Sequence, residues 1–521
     1  MRVGVDVGGT NTDAVLMDGR QVVAKTKRPT TSDVSGGIVD ALSVLLAGGS
    51  VTVGDIDAVM IGTTHFTNAF VEGKGLARVA AVRLGLPATR SVPPLVDWPD
   101  HARAAVGGVP YLCHGGHEID GRRIAPVDKK ELLRLAADIT RRGLESIAIS
   151  AVFSPINPEA ELEAAEILGG ELDGIPISLS YEIGRIGMLP RESATVINAS
   201  LRLLAAKTVQ AFRESILALG IDAPVYLSQN DGTLGDLAFT EKFPVKTFTA
   251  GPTNSMRGAA FLSGELDCAV VDIGGTTADI GILQNGFPRE SSSDAYIGGV
   301  RTNFRLPDVL SLGIGGGSNV SRDERLRVGP QSVGYDVTRR ALVFGGDTLT
   351  ATDVAVAGGR ADLGDRSLVA DLDAELVQEC LLLIEREIAD AVDRMRTGPD
   401  PLPVVLVGGG SILVGDALPG VPRLVRPEHF EVANAIGAAI AQVGSVAERM
   451  YATDGGTRTV ALDEASAEAT QAVIAAGAEP GSVRIVDVEE ISVAYLPGNT
   501  TRLRVRAVGD LALEARHALH H

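Results

Sequence analysis

The sequence predicts an α/β protein built from two related halves that face one cleft, with a small α+β region at the C-terminal end. Three observations carry this reading. A strand–glycine turn–strand unit occurs twice, helical and strand-like patterns alternate around both copies, and a third glycine turn follows an apolar strand in the second half.

The repeat is the strongest of the three. Val5-Asp6-Val7-Gly8-Gly9-Thr10-Asn11-Thr12-Asp13 recurs as Val271-Asp272-Ile273-Gly274-Gly275-Thr276-Thr277-Ala278-Asp279. Each copy continues into a second apolar run, Ala14-Val15-Leu16-Met17 or Ile280-Gly281-Ile282-Leu283, so each reads as a β-hairpin. The turn is longer than a two-residue connection, which suggests a loop shaped to hold something, and a phosphate is the natural candidate. Paired glycines at 8–9 and 274–275 bring backbone N–H groups close to oxyanions, while Thr10, Asn11, Thr12, Thr276 and Thr277 add donors. Asp6 and Asp272 end their strands at the mouths of these turns, where a carboxylate holds magnesium through water. For one copy alone, stabilisation of a hairpin explains the pattern equally well; two copies favour the phosphate reading.

The remaining elements follow in order. After the first hairpin come a third apolar run at Gln21–Ala24, an amphipathic stretch at Ser32–Leu46 and a strand at Ala58–Ile61, which together read as β-β-β-α-β. Helix Asp128–Arg142, strand Ile147–Phe153, helix Pro158–Leu168 and strand Pro176–Leu179 continue the alternation. From Pro190 to Leu219 the pattern is helical without a break, as expected of a long helix crossing between the halves. The second half starts near Leu266, carries an apolar helix near Leu372–Met395, and reaches the strand Val404–Val407. That strand runs into Gly408-Gly409-Gly410-Ser411, where bare backbone lets a flat base or ribose lie close; Gly313-Ile314-Gly315-Gly316-Gly317-Ser318 is an equally permissive competitor. Beyond Tyr451 the glycine signatures stop, and a helix near Ala465–Ala476 with flanking strands suggests the α+β region. The expected boundaries are 1–189 and 266–450 for the halves, 190–265 for connecting elements and 451–521 for the C-terminal region.

Composition narrows the partners. The chain has 521 residues, 45% of them hydrophobic, with a formal charge of −19 and no basic stripe with interleaved aromatics, so nucleic acid is not an expected partner. An anionic nucleotide must then be held by local amide dipoles and a metal against the overall field. No apolar run long enough to span a membrane and no export signal at the start are found, so a cytoplasmic location is expected. Cys113, Cys268 and Cys380 lie far apart and read as reduced structural thiols. The run Cys113-His114-Gly115-Gly116-His117-Glu118 carries common metal-ligand types, so a metal stays an alternative, but its spacing matches no standard zinc arrangement and a polar surface loop is the favoured reading.

The two hairpins and the later glycine turn resemble the phosphate 1, phosphate 2 and adenosine motifs of the sugar kinase, actin and heat-shock chaperone superfamily. Ala250-Gly251-Pro252-Thr253-Asn254-Ser255 and Asn434-Ala435-Ile436-Gly437-Ala438-Ala439 are similar to its connecting helices. Within the superfamily the likeness is to the hydantoinase A/oxoprolinase family, through Gly8–Asp13, Gly62-Thr63-Thr64 with Thr67-Asn68-Ala69, Thr195-Val196-Ile197-Asn198-Ala199, and Ser311–Ser318 followed by Arg327-Val328-Gly329-Pro330. It covers Met1 to roughly Ser445. The chain departs from the family's usual Gly-Pro-Ala-Gly-Gly at Gly251–Ser255, and His65 stands at a commonly apolar position.

The resemblance implies two ribonuclease-H-like, actin-like ATPase domains around a nucleotide cleft, with ATP and Mg2+ as cofactors. It implies ATP-dependent opening of a cyclic amide such as a hydantoin, 5-oxoproline or a related lactam, together with a hydantoinase B-like partner subunit in an oligomer. Two alternatives stay open: the ATPase subunit of a ketone carboxylase, and a non-catalytic reactivating chaperone. For the acceptor side the candidates are His65, Asn68, Asn230 and Asp231, which lie in or beside polar breaks between elements, and Asn198, which is expected on a helix. Asp13 and Asp279 are candidates for a base or an outer magnesium partner, and hairpin capping accounts for them equally well.

Overall fold

The computed structural model describes residues 1–9, 11–30, 34–47, 52–291, 293–322, 324–452, 458–492 and 500–512. Its largest sheet starts from the first hairpin. Strand β1 (Arg2–Val7) pairs antiparallel with β2 (Asn11–Asp18), β2 with β3 (Gln21–Pro29), and after helix α1 (Val34–Ala47) strand β4 (Ala58–Thr63) returns parallel to β1. Alternation along a strand sends successive side chains to opposite faces. Val3, Val5 and Val7 therefore join Ile38, Leu42, Val59 and Ile61 in one core. Gly4 and Asp6 fall on the other face, and that parity aims the predicted aspartate at the middle of the molecule.

A four-stranded, wholly parallel sheet is inserted next. Helix α2 (His65–Glu72) leads to β5 (Val79–Leu86), β6 (Val109–His114), α3 (Lys129–Arg142), β7 (Ser146–Ala151), α4 (Glu159–Glu171) and β8 (Ile177–Leu179), in strand order β6-β5-β7-β8. Helix α5 (Met188–Ala218) follows the predicted span closely. Every residue from Pro190 to Leu201 is buried, and Ala194, Ile197, Leu201 and Phe212 share the first-half core with Val3, Val5, Val79 and Ala148. A helix apolar or small all round needs cover on every side, and α5 finds it against β5, β7 and β8, against α1 and α2, and against residues 300–302 of the second half. A buried ion pair fixes it there: Arg83 on β5 donates through Nε and Nη2 to the two carboxylate oxygens of Glu192, at 2.7 and 2.5 Å.

Strands β9 (Val225–Ser228) and β10 (Thr233–Asp236) extend the first sheet, and helix α6 (Ala250–Ser263) leads out of it. The second half repeats the opening arrangement. Strand β11 (Cys268–Ile273) is antiparallel to β12 (Ala278–Gln284), which also pairs with β13 (Val309–Leu312); past helix α7 (Ala374–Met395), β14 (Val404–Val407) lies parallel to β11 and beside β15 (Leu424–Val425). Helix α8 (Ala433–Ala439) then crosses back, followed by β16 (Gln442–Ala452), α9 (Arg458–Ala475), β17 (Arg484–Ser492) and β18 (Thr500–Gly509). The α+β C-terminal region is joined to the first half through β16, which pairs with β10, so that one nine-stranded sheet runs β17-β18-β16-β10-β9-β4-β1-β2-β3. Among the described residues no helix is long and apolar enough to cross a membrane.

Helices α6 and α8 join the two halves, and they touch backbone to backbone. A Cβ on Gly258 would lie 1.9 Å from the Ala433 carbonyl oxygen, one on Gly437 1.9 Å from the Asn254 oxygen, and one on Gly4 2.1 Å from the Ala435 oxygen. Because the obstacle is main chain, a side chain at 258 or 437 has no rotamer that escapes it. Gly258→Ala and Gly437→Ala should each cost at least about 2 kcal/mol of stability by overpacking, measured by denaturant unfolding. Gly170→Ala on α4, where the added methyl meets nothing within 4 Å, should change stability by less than about 1 kcal/mol.

Candidate functional site

Both hairpins close with the same hydrogen bond. Gly8 N donates to Asn11 O at 3.0 Å and Gly274 N to Thr277 O at 2.8 Å, and in each the strand-end aspartate sits opposite the second acidic residue, Asp6 against Asp13 and Asp272 against Asp279. Each first aspartate also faces a glycine at or just past the end of an apolar strand. A Cβ on Gly62 would come within 2.3 Å of Asp6 Oδ1, and one on Gly408, at φ 83°, within 2.2 Å of Asp272 Oδ1. The duplication thus extends to a carboxylate with a glycine clearing room for it.

The two turns face one another across a cavity of about 180 Å³. Gly8, Gly9, Asn11 and Asp13 line it from the first half, and Gly274, Gly275, Thr276, Thr277 and Asp272 from the second. Gly408 and Gly409 of the third turn also reach it. Gly410 and Ser411 do not: both are buried, and Ser411 Oγ donates to Gly408 O at 2.8 Å. Thr12 is likewise fully buried, beside Thr30, rather than on the cavity wall. Thr10 lies outside the described residues. The competing turn at Gly313–Ser318 is a shelf for the second hairpin: Gly316 N donates to Gly274 O at 3.0 Å, Gly317 N to Gly275 O at 2.7 Å, and a Cβ on Gly315 would strike Thr276 N at 2.5 Å.

The four acidic residues are held differently. Asp6 is buried with both oxygens engaged, accepting from Asn254 Nδ2 at 3.2 Å and Asn434 Nδ2 at 3.1 Å, so it is Asn434 and not Asp6 that reaches the cavity surface. Asp272 is on the wall and hydrogen-bonds Ser255, another cavity residue. Asp13 pairs with Lys27 at 2.7 Å, whereas Asp279 accepts from Ser311 Oγ at 2.5 Å, off the wall. Burial raises Asp6 and Asp272 to about 6, with Asp13 adding to the rise at Asp6 and the amides of Asn254 and Asn434 opposing it. Burial also raises Asp13, against the pull of Lys27, and Asp279.

Four residues that sequence reasoning left unassigned therefore matter here: Lys27, Asn254, Ser255 and Asn434. Lys27 carried a signal, since Lys25 and Lys27 share one face of β3 and Lys27 is in register with Asp13. Lys25 bonds His429 Nδ1 at 3.0 Å and pairs with Glu431, carrying the first hairpin onto the second half. Asn254 and Ser255 stand where the chain departs from Gly-Pro-Ala-Gly-Gly, and that departure supplies the donors to Asp6 and Asp272.

The acceptor candidates separate. His65 and Asn68 line a second cavity, of about 500 Å³, whose wall includes the same Gly8 and Gly9. Burial lowers the His65 pKa, and Asn68 Nδ2 donates to Thr64 Oγ1 at 3.4 Å. Asn198 is fully buried in α5, donating to Ser178 Oγ and Lys242 O, both at 3.0 Å. Asn230 accepts from Thr249 N at 2.9 Å at the start of α6 and donates to Val245 O, while Asp231 binds Thr233 and pairs with Arg506. These last two belong to a third cavity away from the hairpins. In the Cys113–Glu118 run, Cys113 is buried, His114 is bound to Glu131 at 3.3 Å and His117 lies 3.5 Å from Glu159; no group of three metal-ligating side chains occurs among the described residues.

Two duplicated hairpins facing one cleft, joined by a pair of crossing helices, define an actin-like ATPase fold in two domains. Residues 2–172 match the hydantoinase/oxoprolinase N-terminal region and residues 191–381 match hydantoinase/oxoprolinase, and the chain belongs to the hydantoinase/oxoprolinase family. It is 25% identical over 489 residues to caprolactamase subunit alpha of Pseudomonas jessenii, covering 86% of this chain and 67% of that one. To the acetophenone carboxylase gamma subunit of Aromatoleum aromaticum it is 26% identical over 533 residues, covering 88% and 71%. With a further curated relative included, the chain spans 62% to 71% of the length of the relatives it matches. Among solved structures, the ATP-dependent caprolactamase from Pseudomonas jessenii has a TM-score of 0.79 at 19% identity, covering 98% of this chain and 87% of that one. Nucleotide-free acetone carboxylase has a TM-score of 0.69 at 16% identity, covering 98% and 88%. At these identities the structural likeness establishes the fold.

The raised carboxylates give a pH test. Asp6 and Asp272 bind protons more readily folded, at about 6, than at their ordinary value of 3.8. Their contribution to stability is therefore present below about pH 4 and lost as pH rises through about 6. Without divalent cations, the melting temperature of the native protein relative to an Asp6→Asn/Asp272→Asn variant should fall across that window. A difference that stays constant with pH would contradict it.

Proposed function

We propose that this chain is the ATP-binding catalytic subunit of an enzyme that activates the carbonyl oxygen of a cyclic amide by phosphoryl transfer, ring opening being completed with a hydantoinase B-like partner subunit. One observation carries the reading. Gly8 and Gly9 form a wall common to the cleft that holds Asp272 and Gly274–Thr277 and to the cavity that holds His65 and Asn68. A triphosphate tail on one side of that turn and a carbonyl on the other would meet at the same backbone amides.

The chemistry asks little covalent work of the protein. An amide resists water because of the resonance that makes it planar. Transfer breaks the bond from the γ-phosphorus to the bridging oxygen of ADP and forms one to the carbonyl oxygen. As the ring N–H proton departs, the amide becomes a phosphorylated imidate; water adds at its carbon, the ring nitrogen takes a proton and leaves as the C–N bond breaks, and the acyl phosphate that remains is hydrolysed by a second water to carboxylate and inorganic phosphate. Such transfers depend on positioning and charge stabilisation. The turn amides at 8–9 and 274–275 are assigned to the phosphates, Lys27 to charge developing beside Asp13, and His65, kept neutral by burial, to the departing proton. Asp272 on the wall, backed by Asp6, suits Mg2+: with no cluster of three ligating side chains among the described residues, the donor set fits an ion that keeps its waters and takes phosphate oxygens. When bound, that ion would neutralise phosphate charge.

Support comes from the relatives. One is named a caprolactamase alpha subunit, and the structure from the same organism is described as ATP-dependent. Subunit names in two of the three curated relatives favour a partner chain for this one. The acetophenone carboxylase gamma subunit favours a second reading, in which the activated oxygen belongs to the enol of a ketone awaiting carboxylation. The transfer machinery would be shared.

ATP turnover by the chain with its partner should rise on adding a cyclic amide such as a hydantoin, 5-oxoproline or caprolactam. Asp272→Ala and Lys27→Met should each lower it at least about 100-fold, the scale of losing a charge-stabilising group. Stimulation by a ketone with bicarbonate instead would select the second reading. Turnover that responds to a partner protein but to no small substrate would point to a reactivating switch.

A further inference from the structure

The third cavity, of about 260 Å³, is built where the first half, an excursion of the second half and the C-terminal strands meet. Four cations line it, Arg185, Lys246, Arg305 and Arg504, against three carboxylates, Glu182, Asp231 and Glu448. In a protein of net charge −19, such a local excess of positive charge is opposed by the overall field and needs a local reason.

The carboxylates are already engaged. Glu182 pairs with Lys242 at 2.8 Å, Asp231 with Arg506 at 3.6 Å, and Glu448 with Arg305 at 2.5 Å and Arg502 at 3.5 Å. Arg185 and Arg504 share Glu290, which stands behind the wall. Three donors are left over. Arg305 Nη1 and Arg504 Nε are buried without a hydrogen-bond partner, and Lys246 makes no ion pair within 4 Å among the described residues. The Lys246 amine instead lies 5.4 and 5.1 Å from the ring centres of Phe239 and Phe243. A half-buried ammonium beside an unpartnered guanidinium nitrogen is costly unless an anion completes it.

We propose that this cavity binds a short alkyl carboxylate, its two oxygens held by Lys246 Nζ and Arg305 Nη1. The excess of one positive charge matches a monoanion, whereas a phosphate dianion would be repelled by Glu182, Asp231 and Glu448. Tyr181, Ile183, Phe304 and Val446 on the same wall supply apolar cover for an alkyl tail. The site is distinct from the cavity of His65 and Asn68 and does not rest on the function proposed above. It is connected to the hairpins through main chain and amides: Asn230 on its wall accepts from Thr249, Thr253 Oγ1 donates to Asn230 O at 3.0 Å, and Asn254 and Ser255, which follow, hold Asp6 and Asp272. Occupancy of the cavity thus bears on the start of α6, one turn from the residues that fix the two aspartates.

Calorimetric titration of the full chain, without nucleotide, with sodium hexanoate, hexylamine and inorganic phosphate tests the assignment. Hexanoate should bind with a Kd in the millimolar range or tighter, roughly 4 kcal/mol or more, and hexylamine should not. Lys246→Met and Arg305→Gln should each weaken hexanoate at least about tenfold, while Lys246→Arg should retain it; melting curves establish that each variant is folded. No heat with hexanoate up to about 10 mM, affinity unchanged in both charge-removing variants, or tighter binding of phosphate than of hexanoate would each overturn the proposal.

Discussion

The contact on which the site depends is the crossing of α6 and α8. Glycines at 258 and 437 let each helix rest against a carbonyl of the other, and that closeness lets Asn254 and Asn434 reach the same carboxylate from opposite sides. Hydrogen bonds to the charged form of a buried acid oppose the cost of removing it from water. An angstrom of separation between the helices would remove both donors from Asp6 and the hydroxyl of Ser255 from Asp272. The glycines of the hairpins shape the turns, but these two helix glycines set where the turns stand relative to one another.

Duplication supplies the frame, and departures from it supply the chemistry. The halves agree in strand order around the hairpin, in turn closure and in the glycine opposite each aspartate. They differ in what faces the second acidic residue, a lysine at Asp13 and a serine at Asp279. They differ also in exposure, since Asp272 meets the cavity while Asp6 is enclosed by amides. One half therefore brings positive charge to the cleft and the other an accessible carboxylate, a division suited to a polyanion with its counter-ion.

Much of this was legible along the chain because the signals are local. A hairpin writes its strand, turn and strand in consecutive residues, so both copies and the glycine turn at 408 could be read directly. What escaped reading is set by neighbours distant in sequence. Asn254 and Asn434 lie 248 and 428 residues from Asp6, and nothing in a single sequence pairs them. Helix α5 was found within two residues of its start, yet its partners could not be named, because burial on all sides tells of several neighbours without saying which. Asn230 stood beside a polar break and Asn198 was read on a helix, and in both the amide holds a core carbonyl, with Asn230 also accepting from the start of α6.

Strand β16 and its companions give the molecule an unusual assembly order. The nine-stranded sheet that opens with Arg2–Val7 is finished only by β16, β17 and β18, so its far edge waits for residues 442–452, 484–492 and 500–509 to leave the ribosome. Contacts between such remote segments form slowly. During synthesis the first half must persist with β10 unpaired along one side, an open ladder that invites wrong pairing. Translation speed and chaperone cover while residues from 442 onward emerge would then bear on how much folded protein a cell obtains.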